Sequence, residues 1–325
     1  MNNKVYIWAA GPDNLRGGPE VLCLLCQTLR SNGIDAKMFN LAYGINCVPV
    51  EFLNNYNLWV ATASNEEVLN ANDAVIVLPE LLIQQEDNGL RGLLDTFREN
   101  KIFIWFLSTD FTGIVNTTWG SIIETLKFYK NVTYLCESRL AWDLLEFHGV
   151  RENKFMLQHS THIAFRTLKK TAEKQDRVIY NGYKERTRLI AENYIIPNLI
   201  SNIEVVGLLP GTRLNKNEMC DLLDSAKVYI DFCGFKGREM IPREAALRDC
   251  VLLLGNEGCA SYFEDYPLPS LYKISDVTDT EDICSKIVHV VNHYEDCLND
   301  MAFMKRKCSY EYNMFMCEVK NIFGI

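Results

Sequence analysis

The stretch GREMIPREAALRDCVLLLGNEG, residues 237–258, gathers the residue types that a phosphorylated ligand needs. Arg238 and Arg243 carry guanidinium forks that match the oxygens of a diphosphate. Pro242 reads as the start of a helix, with Glu244 in its first turn. A carboxylate there stays ionised beside the helix N-terminus and can accept two hydrogen bonds from a ribose diol. Gly255 and Gly258 follow the apolar run Val251–Leu254, where backbone must approach a ligand closely. The plainer reading is a charge-decorated helix start.

Two other places hold comparable chemistry. In AAGPDNLRGGPEVL, residues 9–22, Gly11, Gly17 and Gly18 permit close backbone approach and Pro19 suits a first helical turn. The free amides of that helix start favour a phosphate, although the spacing is not GxGxxG and an ordinary flexible turn reads equally simply. Glu80 follows AVIVLP and Asp110 follows IFIWFLST, so each places a carboxylate after a strand. Either can bind sugar hydroxyls or act as a base. Asp110 also fits a turn or helix cap, and Glu80 a solvated side chain.

These groups need a scaffold, and the hydrophobic pattern supplies one. Short β-rich runs are expected at Val5–Ala9, Ala36–Leu41, Ala74–Leu78, Ile102–Leu107 and Val132–Cys136. A second set falls at Val178–Tyr180, Val205–Leu208, Val228–Phe232 and Val251–Leu254. Runs such as AVIVLP and VLLLG lack alternation, as strands covered on both faces do. Helical stretches separate them, and the one after Pro19 is expected to stop at Gly33. The reading is an α/β protein with two Rossmann-like, doubly wound domains facing a cleft. The expected division is 1–165, a polar linker 166–176, a second domain 177–300, and a C-terminal helix 301–325 packing back on the first domain.

Composition narrows the class. A chain of 325 residues, 48% hydrophobic, can fill two cores. Its formal net charge of −9 argues against coating nucleic acid. Cys23 and Cys26 form a CxxC, but within an apolar helical pattern and with no second pair at zinc-site spacing; they read as reduced core thiols. His159 and His162 lack a nearby third ligand and read as polar groups at the domain joint. With no apolar run of about 18 residues, the expected location is cytoplasmic, at most peripheral on the inner face of a membrane.

The segment AKVYIDFCGFKGREMIPREAALRDCVLLLGNEGCASYFED resembles the nucleotide-sugar-binding half of GT-B glycosyltransferases. More narrowly it is similar to family 4 transferases of bacterial capsule and surface-polysaccharide type. GGPEVLCLLCQTLRSNGIDA, VIVLPE, KIFIWFLSTDF and YLCESRLAWDLLEFHGV extend the likeness over most of the chain. The resemblance implies transfer of a sugar from a nucleotide-diphosphate donor, with UDP or GDP favoured, to a hydroxyl of a surface glycan, with lipid linkage allowed. It places donor on the C-terminal domain and acceptor on the N-terminal one, Gly17 and Gly18 near the donor phosphates, Lys184 on the diphosphate, and Glu244 on the ribose as the second glutamate of an E-x7-E motif. The first motif position holds Lys236, so Glu239 is the nearest carboxylate and joins Glu80 and Asp110 as a catalytic candidate. No DxD triplet occurs, and neither cofactor nor metal is expected. The rival readings are a nucleotide-sugar epimerase or hydrolase of the same fold, and a non-catalytic scaffold that binds nucleotide or glycan.

Overall fold

The computed structural model describes residues 4–9, 11, 17–80, 82, 87–109, 119–167, 169–199, 202–211 and 214–325. The chain divides into two compact units, Met1–His159 with Asn313–Ile325, and Ser160–Tyr312.

The first unit contains six parallel strands: β1 (Lys4–Trp8), β2 (Asp35–Phe39), β3 (Val75–Pro79), β4 (Lys101–Phe106), β5 (Val132–Cys136) and β6 (Lys154–Met156). Their order is β2-β1-β3-β4-β5-β6. Every residue of β3 and β5 is buried, which explains their unbroken apolar runs. Successive side chains feed two cores: Tyr6, Ile76, Ile104 and Tyr134 on one face, Ile7, Val77, Trp105 and Leu135 on the other. Phe315 and Val319 enter the second core from the C-terminal helix Ala302–Phe323, with Phe315 stacked on Trp105.

The helix Gly17–Ser31 lies against this core and ends as expected. Gly33 has φ +85°, its N–H donates to the Arg30 carbonyl, and the Ile34 N–H donates to the Leu29 carbonyl. That paired closure needs a left-handed residue at Gly33. Cys23 and Cys26 face inward from this helix. Ten of the twelve cysteines are buried and none is in a disulfide. Burial pushes the Cys26 thiol up to about 12, as for a core side chain rather than a thiolate ligand.

The second unit holds β7 (Gln175–Tyr180), β8 (Glu204–Gly207), β9 (Ala226–Asp231), β10 (Val251–Gly255) and β11 (Lys273–Ile274), in the order β11-β10-β9-β7-β8. All its pairings are parallel. The polar stretch 166–176 lies inside this unit rather than between units. Thr171 donates its N–H to Asp224 at 3.0 Å, and the Lys174 ammonium donates to the carbonyls of Leu223, Ala226 and Arg248.

Strands β6 and β11 were not expected. They are three- and two-residue edge strands, KFM and KI, too short to show a periodicity of their own. Each sheet reverses its strand order once, at β1/β3 and at β7/β9, where connections leave in opposite directions. Among the described residues no helix is long and apolar enough to cross a membrane.

Candidate active site

The reversal point of the second sheet opens between the ends of β7 and β9, the position at which open parallel sheets receive ligands. Asp231, the fully buried last residue of β9, organises it. Its carboxylate accepts from Asn181 Nδ2 at 2.7 Å, Thr187 Oγ1 at 3.0 Å, Tyr229 Oη at 3.2 Å and the Cys233 N–H at 3.1 Å. Thr187 Oγ1 in turn accepts from the Phe232 N–H at 2.8 Å. One carboxylate therefore fixes the loop after β7, the following helix Glu185–Ile190 and the loop after β9.

Lys184 and Glu239 project from those two loops and meet, Nζ to Oε1, at 2.8 Å. Their side chains retain 39% and 27% exposure, so the pair stays open to an incoming anion. Burial disfavours the Lys184 ammonium, but the adjacent Glu239 carboxylate outweighs it and holds the group above the usual lysine value. A second pair joins the helix after β7 to the loop after β10: Arg186 donates to both oxygens of Glu257 at 2.7 and 3.0 Å. The carboxylate of Glu257 also comes within 3.3 Å of the position a Cβ would take at Gly234, beside Lys236.

Arg238 and Arg243 do not present their forks at this edge. Both side chains are fully buried and directed at Glu311 of the C-terminal helix. Arg243 Nη1 lies 2.9 Å from Glu311 Oε2, its Nη2 donates to the Arg238 carbonyl at 2.8 Å, and its Nε donates to the Glu239 carbonyl at 3.1 Å. Arg238 Nη2 donates to Glu311 Oε1 and its Nε lies 4.0 Å from Asp265. Two buried cations facing two buried carboxylates neutralise one another, and the cluster fixes the backbone that presents Glu239.

Glu244 is also placed differently. The helix runs Met240–Leu247, so Pro242 is its third residue and Glu244 its fifth, beyond the first turn. The side chain is almost fully buried and lies 3.4 Å from Lys216 Nζ, at the start of the helix Lys216–Ser225. Gly255 and Gly258 bring two loops of the chain together. A Cβ on Gly255 would stand 3.3 Å from the Phe232 Cα, and one on Gly258, which has φ +57°, would stand 2.1 Å from the Phe235 carbonyl oxygen. Gly258→Ala is expected to destabilise the protein by roughly 2–5 kcal/mol, combining left-handed strain with overpacking. Urea unfolding measures this, and an unchanged midpoint would show that the loop moves aside freely.

The first unit holds the remaining candidates. Gly17 and Gly18 open the helix Gly17–Ser31, Gly17 exposed and Gly18 with ordinary space around it. The demanding glycine is Gly11, at φ +83°, where a Cβ would meet the Tyr43 ring at 2.5 Å. Asp110 lies outside the described residues. Glu80, at the end of β3, is buried rather than solvated, and its Oε2 accepts the Leu107 N–H at 2.9 Å. Near it in charge, Glu137 accepts the His159 N–H at 2.9 Å and lies 2.7 Å from His159 Nδ1. His162 Nδ1 accepts the Ala164 N–H at 3.2 Å.

Burial raises the Glu80 carboxyl to about 8, against the opposing pull of the Leu107 N–H, and the Glu137 charge adds to the rise. The folded value exceeds the ordinary 4.5, so the folded state keeps a proton that the unfolded chain has lost. Stability from this group is complete below about pH 4.5 and is lost as pH rises towards 8. Glu80→Gln is therefore expected to gain about 3 kcal/mol relative to the native chain between about pH 5 and pH 8. Parallel unfolding curves for the two proteins at both pH values would rule this out.

Sequence reasoning passed over Asp231, Asn181, Thr187, Arg186, Glu257, Lys216 and Glu311. Only Asp231 carried a signal, an acid closing a buried apolar run.

No protein-family model matches the sequence, and no curated protein matches it. Solved structures do. HepE from Anabaena, in complex with UDP and glucose, is 10% identical with a TM-score of 0.65, covering 99% of this chain and 100% of that one. T4 phage BGT in complex with its UDP-glucose substrate is 10% identical at a TM-score of 0.54, covering 99% and 100%. The α,α-trehalose-phosphate synthase (UDP-forming) from Burkholderia xenovorans, in complex with glucose-6-phosphate, is 8% identical at 0.55, covering 98% and 100%. T4 phage BGT is also seen with UDP and Mn2+. The shared feature is the fold, the GT-B architecture of glycosyltransferases.

Proposed function

We propose that the chain is a glycosyltransferase whose second unit binds a nucleoside-diphosphate sugar at the β7/β9 reversal point. The observation that carries this reading is the accessible Lys184–Glu239 pair at that point of a GT-B fold. A diphosphate presents the charge that Lys184 holds in place and competes with Glu239 for it. The sugar's anomeric carbon–oxygen bond to the diphosphate breaks, a bond to an acceptor hydroxyl oxygen forms, and the hydroxyl proton passes to a carboxylate base. Asp110 and Glu239 are the proposed candidates for that base, whereas Glu80, buried and holding its proton at neutral pH, is not. Lys184 stabilises the departing diphosphate by preorganised charge, which supports turnover without a metal.

UDP is the favoured donor nucleotide, since the neighbouring structures contain it. Glu244 with Lys216, and the loops joined at Gly255 and Gly258, are proposed to shape the nucleoside side of the site. The proposed acceptor is a hydroxyl of a bacterial surface glycan, taken by the first unit. Gly17 and Gly18 remain proposed contacts of the donor phosphates, and the proposed location is cytoplasmic.

Thermal unfolding against UDP, GDP, CMP, dTDP and ADP, each with and without magnesium, tests the donor site. A ligand at about 100 times its Kd adds about 2.7 kcal/mol of stability, a readily measured shift. The expected result is one selective, magnesium-independent shift. Flat curves at millimolar concentrations of every nucleotide would remove the proposal. Selective binding without sugar transfer would favour the scaffold reading.

A further inference from the structure

At the amino-terminal end of its sheet, the first unit carries a surface unrelated to sugar transfer. The helices Trp119–Phe128 and Arg139–Phe147 both finish there, each on a phenylalanine. Phe128 is 83% and Phe147 85% exposed, the two most exposed large apolar side chains among the described residues. Lys127 Nζ donates to the His148 carbonyl at 3.3 Å, which draws the two helix ends together.

Beside them, at the first residue of β5, lies a cavity of about 470 Å³. Its lining includes the cations Lys127, Lys130 and Arg151 and one acid, Glu152. With Glu124, which pairs with Lys127, counted as well, three cations stand against two acids, a local surplus of one positive charge in a chain whose formal net charge is −9. Lys127 has a partner in Glu124 at 2.7 Å, on a side exposed to solvent and easily screened.

An inorganic phosphate would satisfy the cations and leave the two rings in water. A phospholipid surface satisfies both: aromatic rings enter the boundary between headgroups and acyl chains while Lys and Arg engage anionic headgroups. We propose that this end of the first unit docks on an anionic phospholipid surface, with Phe128 and Phe147 inserted and a lipid phosphate held by Lys127, Lys130 and Arg151. The inference is independent of the glycosyltransferase reading.

Flotation of the full chain with vesicles tests it, comparing pure phosphatidylcholine with vesicles containing about one third phosphatidylglycerol. Binding is expected only to the anionic vesicles and is released near 1 M salt, where the screening length falls to about 3 Å. The double variant Phe128→Ser/Phe147→Ser is expected to bind at least roughly tenfold more weakly with an unchanged unfolding midpoint, because both rings are already in water. The triple variant Lys127→Gln/Lys130→Gln/Arg151→Gln is expected to lose roughly a hundredfold. Absence of flotation, equal binding to neutral vesicles, or undiminished binding by either variant overturns the proposal. So does binding to polyglutamate without binding to vesicles, which assigns the surface to an acidic protein.

Discussion

Lys184→Ala is expected to weaken nucleoside-diphosphate binding by roughly 10- to 100-fold, the loss of one charge-assisted hydrogen bond in a partly enclosed site. Turnover should fall further, by roughly 100- to 1000-fold, because the leaving diphosphate carries more charge on its bridging oxygen in the transition state than in the bound donor. Calorimetric titration with the diphosphate and with the unphosphorylated nucleoside separates the two contributions. The variant should retain nucleoside binding and lose only the diphosphate increment. Its fold should be barely affected, since the Lys184–Glu239 pair is partly exposed and such pairs contribute about 1 kcal/mol or less. Equal loss for nucleoside and diphosphate would move Lys184 away from the phosphates.

Arg243→Met should act on the fold instead. The Arg243 guanidinium lies fully buried between Glu311, the Arg238 carbonyl and the Glu239 carbonyl. Its removal takes from Glu311 one of its two arginine partners and from the Arg238 and Glu239 carbonyls one donor each, at an expected cost of about 3–5 kcal/mol. Adding Glu311→Gln should recover part of that loss, because the excess negative charge is then gone. Urea unfolding of both single variants and the double variant measures the coupling. Strictly additive losses would mean that the cluster is not a unit. The same series reaches the candidate site, because Arg243 Nε and Tyr266 Oη both hold the Glu239 carbonyl in place.

Glu80 illustrates where reading the chain succeeds and where it stops. A carboxylate directly after the apolar run of β3 was recognisable as unusual. Its burial, its bond to Leu107 and its raised affinity for a proton all depend on β4 lying next to β3. The arginines show the same limit more sharply. Their spacing suits a diphosphate equally well in either direction. What turns them inward is Glu311, 68 residues after Arg243 in sequence.

The α/β class, nine of the eleven strands among the described residues, the stop at Gly33 and the apolar setting of Cys23 and Cys26 were legible in the chain. These follow from periodicity, backbone stereochemistry and burial, which act between near neighbours in the chain. The two strand orders, the edge strands β6 and β11, the inward turn of Arg238 and Arg243, and the meeting of Lys184 with Glu239 emerge only in the folded chain. Each of these joins groups distant in sequence, and a charged side chain takes whichever partner the packed core leaves within reach.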